Sequence, residues 1–226
     1  MNQDQIFFES EGDNWFARNK PVLELVSDRV DLPSYLIEIL EEKSNIKSVL
    51  ELGCANGWRL NSLKQKLLER CRFVGVDASI KAIQDGRARY PFIELHQGLL
   101  SKVPVVGQFD LVIVYFVLHW VDRTSLTRSV SEIDRLISDD GFLVLGDFLP
   151  DSPQRRCYHH LPNENVYTYK QDYAKIFESY GLYKEVARIA FDHDRPATMI
   201  QTSDSSSRCV CTVLKKSVEN YYMEVV

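Results

Sequence analysis

Residues 49–57, with the sequence VLELGCANG, decide the fold of this chain. Apolar residues around one acid predict a buried strand, and the small residues from Gly53 to Gly57 predict a tight turn after it. Leucines then recur at helical spacing over residues 60–68. Small residues at such a turn let a ligand approach the backbone, and amide groups at a helix start point toward it. The stretch therefore predicts a ligand-binding strand–turn–helix unit.

A second acid follows the next apolar run. Residues 73–76, FVGV, end at Asp77, about twenty residues past the turn, where a ribose-binding acid is expected in a nucleotide-binding β-α-β unit. Glu51 and Asp77 thus lie at the ends of two successive strands, which favours a nucleoside site. The alternative is that Asp77 and Ser79 only cap the next helix.

The spacing of the glycines separates two classes of nucleotide-binding protein. A dinucleotide fingerprint needs a small third residue where the helix packs on the strand, and counting from Gly53 that position is Trp58. This disfavours the rival hypothesis of a nicotinamide-dependent oxidoreductase. The order acid-x-Gly-x-small-x-Gly resembles the first motif of class I S-adenosylmethionine-dependent methyltransferases, and Asp77 resembles the acid of their second motif. Ala55 replaces the middle glycine of the family pattern.

The resemblance implies an α/β, Rossmann-like methyltransferase fold. It has a mostly parallel seven-stranded sheet with a C-terminal antiparallel hairpin and helices on both faces. We predict a helical N-terminal cover or lid over residues 1–45 and a cofactor-binding domain over residues 46–226, with an irregular insertion at residues 148–170. Residues 12–19, GDNWFARN, are also similar to the N-terminal segment of methylases associated with bacterial sialic-acid-like sugar biosynthesis.

The implied cofactor is S-adenosyl-L-methionine. Glu51 would orient its methionine amino group, Asp77 would accept both ribose hydroxyls, and Arg18 would face its carboxylate as a charge-assisted pair. Arg18 lies among N-terminal aromatic residues that, alternatively, only cover the domain surface. The other predicted cofactor contacts belong to the turn and to the ends of the next strands: Gly53, Cys54, Ala55, Gly57, Ala78, Gly98, Leu99 and Tyr115.

The acceptor side is predicted from the strand over residues 109–114, because ligands of open parallel sheets lie beyond the carboxyl ends of the strands. His119 follows this strand and is the candidate general base or acceptor contact; a structural role in the loop is the alternative. The insertion is rich in aromatic and hydrogen-bonding groups suited to stacking on a sugar or planar acceptor. The predicted acceptor contacts are Trp15, Trp120, Asp147, Tyr158, His159, His160 and Tyr169. The neighbouring histidines lack the spacing of a metal site, so no metal is predicted.

Composition limits the function further. A net charge of −5 and a pI of about 5.6 argue against a nucleic-acid partner. No apolar run has the length of a membrane helix, and five cysteines without metal spacing indicate reduced thiols of a cytoplasmic protein. We predict a methyltransferase that acts on oxygen or nitrogen of a small molecule, with a sugar or secondary metabolite as the favoured class. The alternative is a catalytically silent, methyltransferase-like binding protein, and the sequence does not indicate an oligomeric state.

Overall fold

The computed structural model describes residues 2–24, 31–67, 71–195 and 205–225. The N-terminal part contains helix α1 (Gln3–Ile6), a π-helical turn (Phe7–Glu11) and helix α2 (Gly12–Glu24). Helix α3 (Leu32–Glu38) follows, capped by the Asp31 side chain, which accepts a hydrogen bond from the Ser34 amide. A short 3₁₀ turn (Glu41–Asn45) then leads into the first strand.

Seven strands of the described chain form one sheet. They are β1 (Ser48–Leu52), β2 (Arg72–Asp77), β3 (Glu94–Gln97), β4 (Phe109–Tyr115), β5 (Ile137–Phe148), β8 (Tyr183–Asp192) and β9 (Arg208–Lys216). Their order is β3-β2-β1-β4-β5-β9-β8, in which β9 runs antiparallel to both of its neighbours and the first five strands are parallel. The predicted fold class, including the C-terminal antiparallel hairpin, is confirmed.

Helices cover both faces of this sheet. Apolar residues of α3, α4 (Trp58–Lys64) and α5 (Ile80–Arg89) pack in one buried cluster with β1, β2 and β4. On the other face, residues of α6 (Leu126–Arg135) and α7 (Ala174–Glu178) pack in a second cluster. The central strands are buried on both sides, which is why they read as continuous apolar runs in the sequence.

The insertion differs from the irregular segment that the sequence predicted. It contains two short antiparallel strands, β6 (Gln154–Cys157) and β7 (Tyr167–Lys170), in which Arg156 pairs with Thr168 and Gln154 pairs with Lys170. Residues 167–170 alternate side chains between the two faces, as strand residues do. Pro150, Pro153 and Pro162 lie outside both strands, so they do not prevent this pairing.

The N-terminal helices are attached to the insertion and to the loop after β4. The Gln3 side-chain amide donates to the carbonyls of Trp120 and Tyr167, at 2.6 and 2.8 Å, and its oxygen accepts from the Tyr167 amide at 2.8 Å. The Asp122 amide donates to the Asp4 carboxylate at 2.7 Å. Gln3 and Asp4 are buried by these contacts. The segment thus lies as a cover against the domain; its opening and closing as a lid stays a prediction.

Gly146, near the end of β5, provides the space for a neighbouring ring. A methyl group there would lie 2.1 Å from the Tyr115 ring, on the adjacent strand. We expect Gly146→Ala to lower the free energy of unfolding in urea by about 1–3 kcal/mol, the usual cost of overpacking a core. In a Tyr115→Ala background the same methyl group should cost much less. An equal cost in both backgrounds would contradict this packing argument.

Candidate functional site

A cavity of about 900 Å³ lies beyond the carboxyl ends of the parallel strands. Its walls come from the N-terminal helices, the turn after β1, the loop after β4 and the β6–β7 hairpin. This volume is toward the upper end of the roughly 300–1,000 Å³ typical of small-molecule sites. The cavity therefore has room for a cofactor-sized ligand and a second molecule beside it.

The turn after β1 is shaped for close approach of a ligand. Gly53 and Gly57 have φ angles of +78° and +81°, a conformation that glycine adopts without strain. A methyl group at Gly53 would lie 2.1 Å from the Val117 side chain, so the turn and the loop after β4 approach each other directly.

Ala55 also lies in the left-handed region, with a φ angle of +49°, which is unusual for a residue other than glycine. Its methyl group belongs to a small apolar cluster with Phe16 of α2 and Ala82 of α5. This contact gives a physical reason for the departure from the family glycine: the alanine methyl packs against the N-terminal cover.

Asp77 ends β2 and faces the same turn. One carboxylate oxygen accepts from the Ala55 amide and the other from the Ser79 amide, both at 2.8 Å. Burial raises the pKa of Asp77, while these two amide hydrogen bonds oppose the shift. Each oxygen keeps a free lone pair, and the residue lines the cavity. Asp77 can therefore accept two further hydrogen bonds, as a ribose diol requires.

Glu51 lies behind the cavity wall rather than on it. Its carboxylate pairs with the Arg59 guanidinium, whose Nε lies 3.0 Å from both carboxylate oxygens of Asp31. One Glu51 oxygen is buried and has no hydrogen-bond partner among the described residues. Burial raises the pKa of Glu51 to about 7, against the opposing effect of Arg59. A single guanidinium shared by two acids explains why Glu51 is not held firmly ionised.

Arg59 does line the cavity, and sequence reasoning missed it. Its guanidinium lies between the rings of Trp58 and Tyr115, at 4.6 and 4.8 Å from their centroids. Its Nη2 has no hydrogen-bond partner among the described residues. The only sequence signal was its place in the first turn of the helix after the glycine turn, where an exposed arginine would be equally ordinary.

Arg18, predicted to face the cofactor carboxylate, makes a different contact. Its guanidinium pairs with the buried Glu11 carboxylate and donates to the Tyr158 hydroxyl at 2.8 Å. The Tyr158 hydroxyl in turn donates to Glu11 at 2.7 Å. These three side chains link the N-terminal cover to the insertion and already use one Arg18 nitrogen, so the predicted pairing stays a prediction.

The far end of the cavity contains a histidine–aspartate pair. His119 Nδ1 lies 3.0 and 3.1 Å from the two Asp147 oxygens, and the His119 amide also donates to Asp147, at 3.2 Å. Both residues are buried. Because Asp147 accepts at Nδ1, Nε2 is the unprotonated nitrogen of the neutral ring, and it has no partner among the described residues. His119 lines the cavity and Asp147 stands behind it.

Aromatic rings surround this pair. The rings of Trp120 and Phe148 lie 4.6 and 5.1 Å from the His119 ring, and Tyr158 lies 4.5 Å from Trp120. Phe116, at the end of β4, has a φ angle of +57°, an outlier for an aromatic residue and of a kind that concentrates at functional sites. This end of the cavity suits a flat or ring-shaped molecule.

Most of the predicted site residues meet in this one cavity. Those that line it are Trp15, Gly53, Cys54, Ala55, Asp77, Ala78, Gly98, Leu99, Tyr115, His119, Trp120, Tyr158, His159 and His160. Those that do not are Arg18, Glu51, Gly57, Asp147 and Tyr169. Tyr169 instead packs under the Arg123 guanidinium, 4.3 Å from its ring centroid.

Besides Arg59, the sequence analysis missed several cavity residues on the acceptor side: Phe148, Arg156, Thr168, Lys170, His193 and Asp194. Lys170 ends a stretch that the aromatic composition had already marked, but nothing in the sequence indicated that its ammonium group would be buried. In the described parts of the chain, no three metal-ligating side chains come together and no helix has the length and apolarity to cross a membrane.

Comparison with known proteins gives a family for the central part of the chain. Residues 49–141 match the family of methyltransferase domains. An uncharacterised methyltransferase of Synechocystis sp. is 31% identical over 102 residues, which are 45% of this chain and 47% of that protein. The chain spans about half to three fifths of the length of the curated relatives that it matches.

Solved structures share the fold over nearly the whole chain. One is from the complex of the Haloferax volcanii Trm112 methyltransferase activator and a methyltransferase: TM-score 0.67, 17% identity, covering 95% of this chain and 100% of the other. Another is the Burkholderia thailandensis 1,6-didemethyltoxoflavin-N1-methyltransferase with bound 1,6-didemethyltoxoflavin and S-adenosylhomocysteine. Its TM-score is 0.64 at 11% identity, covering 91% of this chain and 86% of the other.

The family match and the fold agree with the strand-end acids and the glycine turn. The central part of the chain is a methyltransferase domain by family match, and the chain has the fold of class I S-adenosylmethionine-dependent methyltransferases, as the sequence resemblance predicted.

The burial of Glu51 makes the stability of the protein depend on pH. The pKa of Glu51 is raised from an ordinary 4.5 to about 7 in the folded protein. Its contribution is therefore complete below pH 4.5 and is lost as the pH rises through 7. We expect wild-type protein to lose a few kcal/mol at most from this group between pH 5 and pH 8, since one pKa unit corresponds to about 1.4 kcal/mol.

Glu51→Gln removes the titrating group and keeps a hydrogen-bond acceptor for Arg59. Urea unfolding of both proteins from pH 5 to pH 8 measures the difference, and the wild type should lose more stability than the variant over this range. Parallel pH profiles for the two proteins would refute the raised pKa of Glu51.

Proposed function

We propose that this protein transfers the methyl group of S-adenosylmethionine to an oxygen or nitrogen of a small-molecule acceptor. The observation that supports the proposal best is one cavity that joins the glycine turn and Asp77 at one end to His119 and its aromatic surroundings at the other. Cofactor and acceptor bound in it would be neighbours. A sugar or secondary metabolite stays the favoured acceptor class.

The residues at the Asp77 end suit the cofactor. The two free lone pairs of Asp77 fit the ribose diol, and the open turn at Gly53 leaves room for the adenosyl and methionine portions. Arg59 Nη2 has an unused donor for the methionine carboxylate. Glu51 would then act on the methionine end by holding Arg59 rather than by touching the amino group itself.

When bound, the cofactor supplies a methyl group on a positively charged sulfur, which is already activated for displacement. The protein has to hold the acceptor in line with that group and remove its proton. His119 Nε2 accepts this proton as the acceptor atom forms its new bond to carbon, and the bonding pair of the broken carbon–sulfur bond returns to sulfur. Asp147 orients the ring and stabilises the imidazolium that results.

Positioning carries most of the expected rate enhancement. Holding two reactants in the correct geometry contributes roughly 7–11 kcal/mol, whereas a general base typically adds a factor of about 10²–10⁴. The rigid aromatic walls around His119 are thus as important to the proposal as the histidine itself.

Asp77→Asn tests the cofactor end. Both Asp77 oxygens accept hydrogen bonds from backbone amides. An asparagine would place its NH2 group against one of these amides, and that backbone N–H would lose its acceptor. We expect S-adenosylhomocysteine to bind the wild type and to bind the variant at least tenfold more weakly, by isothermal titration calorimetry. Glu94→Gln, on the exposed part of β3, serves as the control and should bind normally.

Binding of NAD in place of S-adenosylhomocysteine by the wild-type protein would sink the methyltransferase proposal. Binding of S-adenosylhomocysteine with no methyl transfer to any extract fraction would favour the catalytically silent alternative.

His119→Ala tests the general base. We expect turnover, measured with labelled S-adenosylmethionine and an extract fraction that accepts the label, to fall at least tenfold while the affinity for S-adenosylhomocysteine stays unchanged. Asp147→Asn should lower turnover as well and alter its pH profile, because the ring loses its orienting carboxylate. His96→Ala, whose ring pairs with Glu94 away from the cavity, is the control. Unchanged turnover in His119→Ala would remove this residue from the mechanism.

A further inference from the structure

Lys170, the last residue of β7, is a buried cation on the cavity wall. Its side chain is 8% exposed, and its Nζ lies 3.6 Å from the centroid of the Phe148 ring. An ammonium group has three donors, yet among the described residues Lys170 donates to a single acceptor, the Ser206 carbonyl, at 3.4 Å. Among the residues that the structure describes, no carboxylate oxygen lies within 4 Å of this nitrogen.

The other buried cations of the described chain are treated differently. Arg59 pairs with Asp31 and Glu51, and Lys216 pairs with Asp134 at 3.0 Å. Burial of a charge is costly unless it is paired, and that cost lowers the pKa of Lys170 here, with the positive charge of Arg156 adding to the effect. The fold pairs these other buried cations with carboxylates. Lys170 has no such partner among the described residues and can bind an anion instead.

The described carboxylates that interact with Lys170 do not pair with it. Asp147 interacts with it at longer range and is already bonded to His119. Asp194 also interacts with it at a distance, from an exposed position at the edge of the cavity. No described residue uses the remaining donors of Lys170, which lines the cavity and can donate to a molecule inside it.

The neighbours of Lys170 suit an anion. Arg156 and Thr168 lie opposite each other on β6 and β7, and both line the cavity on the same face of the hairpin as Lys170. His193 lines the same region, with its ring 5.1 Å from Phe148. Lys170 and Arg156 bring two positive charges to this part of the wall, with the exposed Asp194 at its edge, although the whole chain carries a net charge of −5.

Phe148 connects this wall to the proposed base. One side of the ring receives the Lys170 ammonium, and the His119 ring lies 5.1 Å away at an edge-to-face angle of 79°. A molecule held at Lys170 would extend past Phe148 toward His119 Nε2.

We propose that the methyl acceptor carries an anionic oxygen group, a carboxylate or a phosphate, and that Lys170 binds this group so that the reacting atom faces His119. The identification of the bound anion as the methyl acceptor rests on the proposed methyl transfer, whereas the anion site itself does not depend on that proposal. Lys170 acts as a specificity-determining residue, and the acceptor class narrows to small organic acids or phosphate esters.

The anion site is tested without catalysis. Protein labelled with carbon-13 at the lysine ε-carbons is titrated with sodium phosphate and, separately, with sodium acetate at constant ionic strength, with and without S-adenosylhomocysteine. The Lys170 resonance is identified by its loss in Lys170→Met. It should shift saturably with at least one probe, and its pKa should rise when the probe is bound. Response to acetate alone indicates a carboxylate, and response to phosphate alone a phosphate.

Arg155→Met is the matched control. Arg155 belongs to the same hairpin but packs on Tyr167 outside the cavity, so this variant should keep the anion response of Lys170. Lys170→Arg, which retains the buried charge, should lose the same single resonance as Lys170→Met. This agreement shows that the resonance disappears because the lysine is replaced and not because the protein unfolds. A linear response equal to that of the exposed lysines with both probes would overturn the proposal.

The acceptor is tested by fractionation. Extract metabolites are separated by anion exchange and incubated with enzyme and labelled S-adenosylmethionine. Label should enter the retained, anionic fraction, and Lys170→Met should raise the KM for that acceptor at least tenfold with little change in kcat or in S-adenosylhomocysteine affinity. Label confined to the unretained fraction would overturn the assignment. Absence of both cofactor binding and transfer, with the anion titration intact, would instead refute the proposed function alone.

Discussion

The pairing of Arg59 with Glu51 and Asp31 joins three parts of the molecule. Arg59 belongs to the helix after the glycine turn, Glu51 belongs to the first strand, and Asp31 caps α3. A buried guanidinium must be paired, because an uncompensated interior charge costs several kcal/mol. The same three charges thus tie α3 to the first strand and to the helix that follows the glycine turn. The cavity wall at Trp58 and Tyr115 follows from them, since both rings flank the guanidinium.

The two ends of the cavity use charge in opposite ways. At the turn, Asp77 is held by backbone amides and offers acceptors to a hydroxylated ligand. At the other end, Lys170 offers donors and lies on the same Phe148 ring as the His119–Asp147 pair, whose Nε2 has no partner among the described residues. A methyl donor with a positive centre and an anionic acceptor would attract each other in this arrangement. Besides positioning the two molecules, the protein has to keep water and competing ions away from the space where they meet.

The sequence predicted the sheet well because its signals are local: apolar runs, a glycine turn and acids at the strand ends. The contact that Asp147 makes depends on the pairing of two strands that are far apart in the sequence. β4 and β5 pair with Tyr115 opposite Gly146, so the residues just past these positions become neighbours, and the acid bonds to His119 instead of reaching the cavity. For the same reason, the burial of Arg59 and Lys170 in the cavity wall was not predicted. Lysine and arginine usually lie on the surface, and only the packing of distant segments shows that these two are buried.

The N-terminal segment has a thermodynamic consequence beyond covering the site. It is fastened to the loop after β4 by Gln3 and to the insertion by Glu11 and Arg18, and its residues Phe7, Gly12 and Trp15 form part of the same wall that a ligand would touch. Docking of this segment and occupation of the cavity are therefore linked equilibria. If a bound molecule stabilises the docked segment by a given free energy, docking of the segment strengthens binding of that molecule by the same free energy, because the two equilibria are coupled reciprocally.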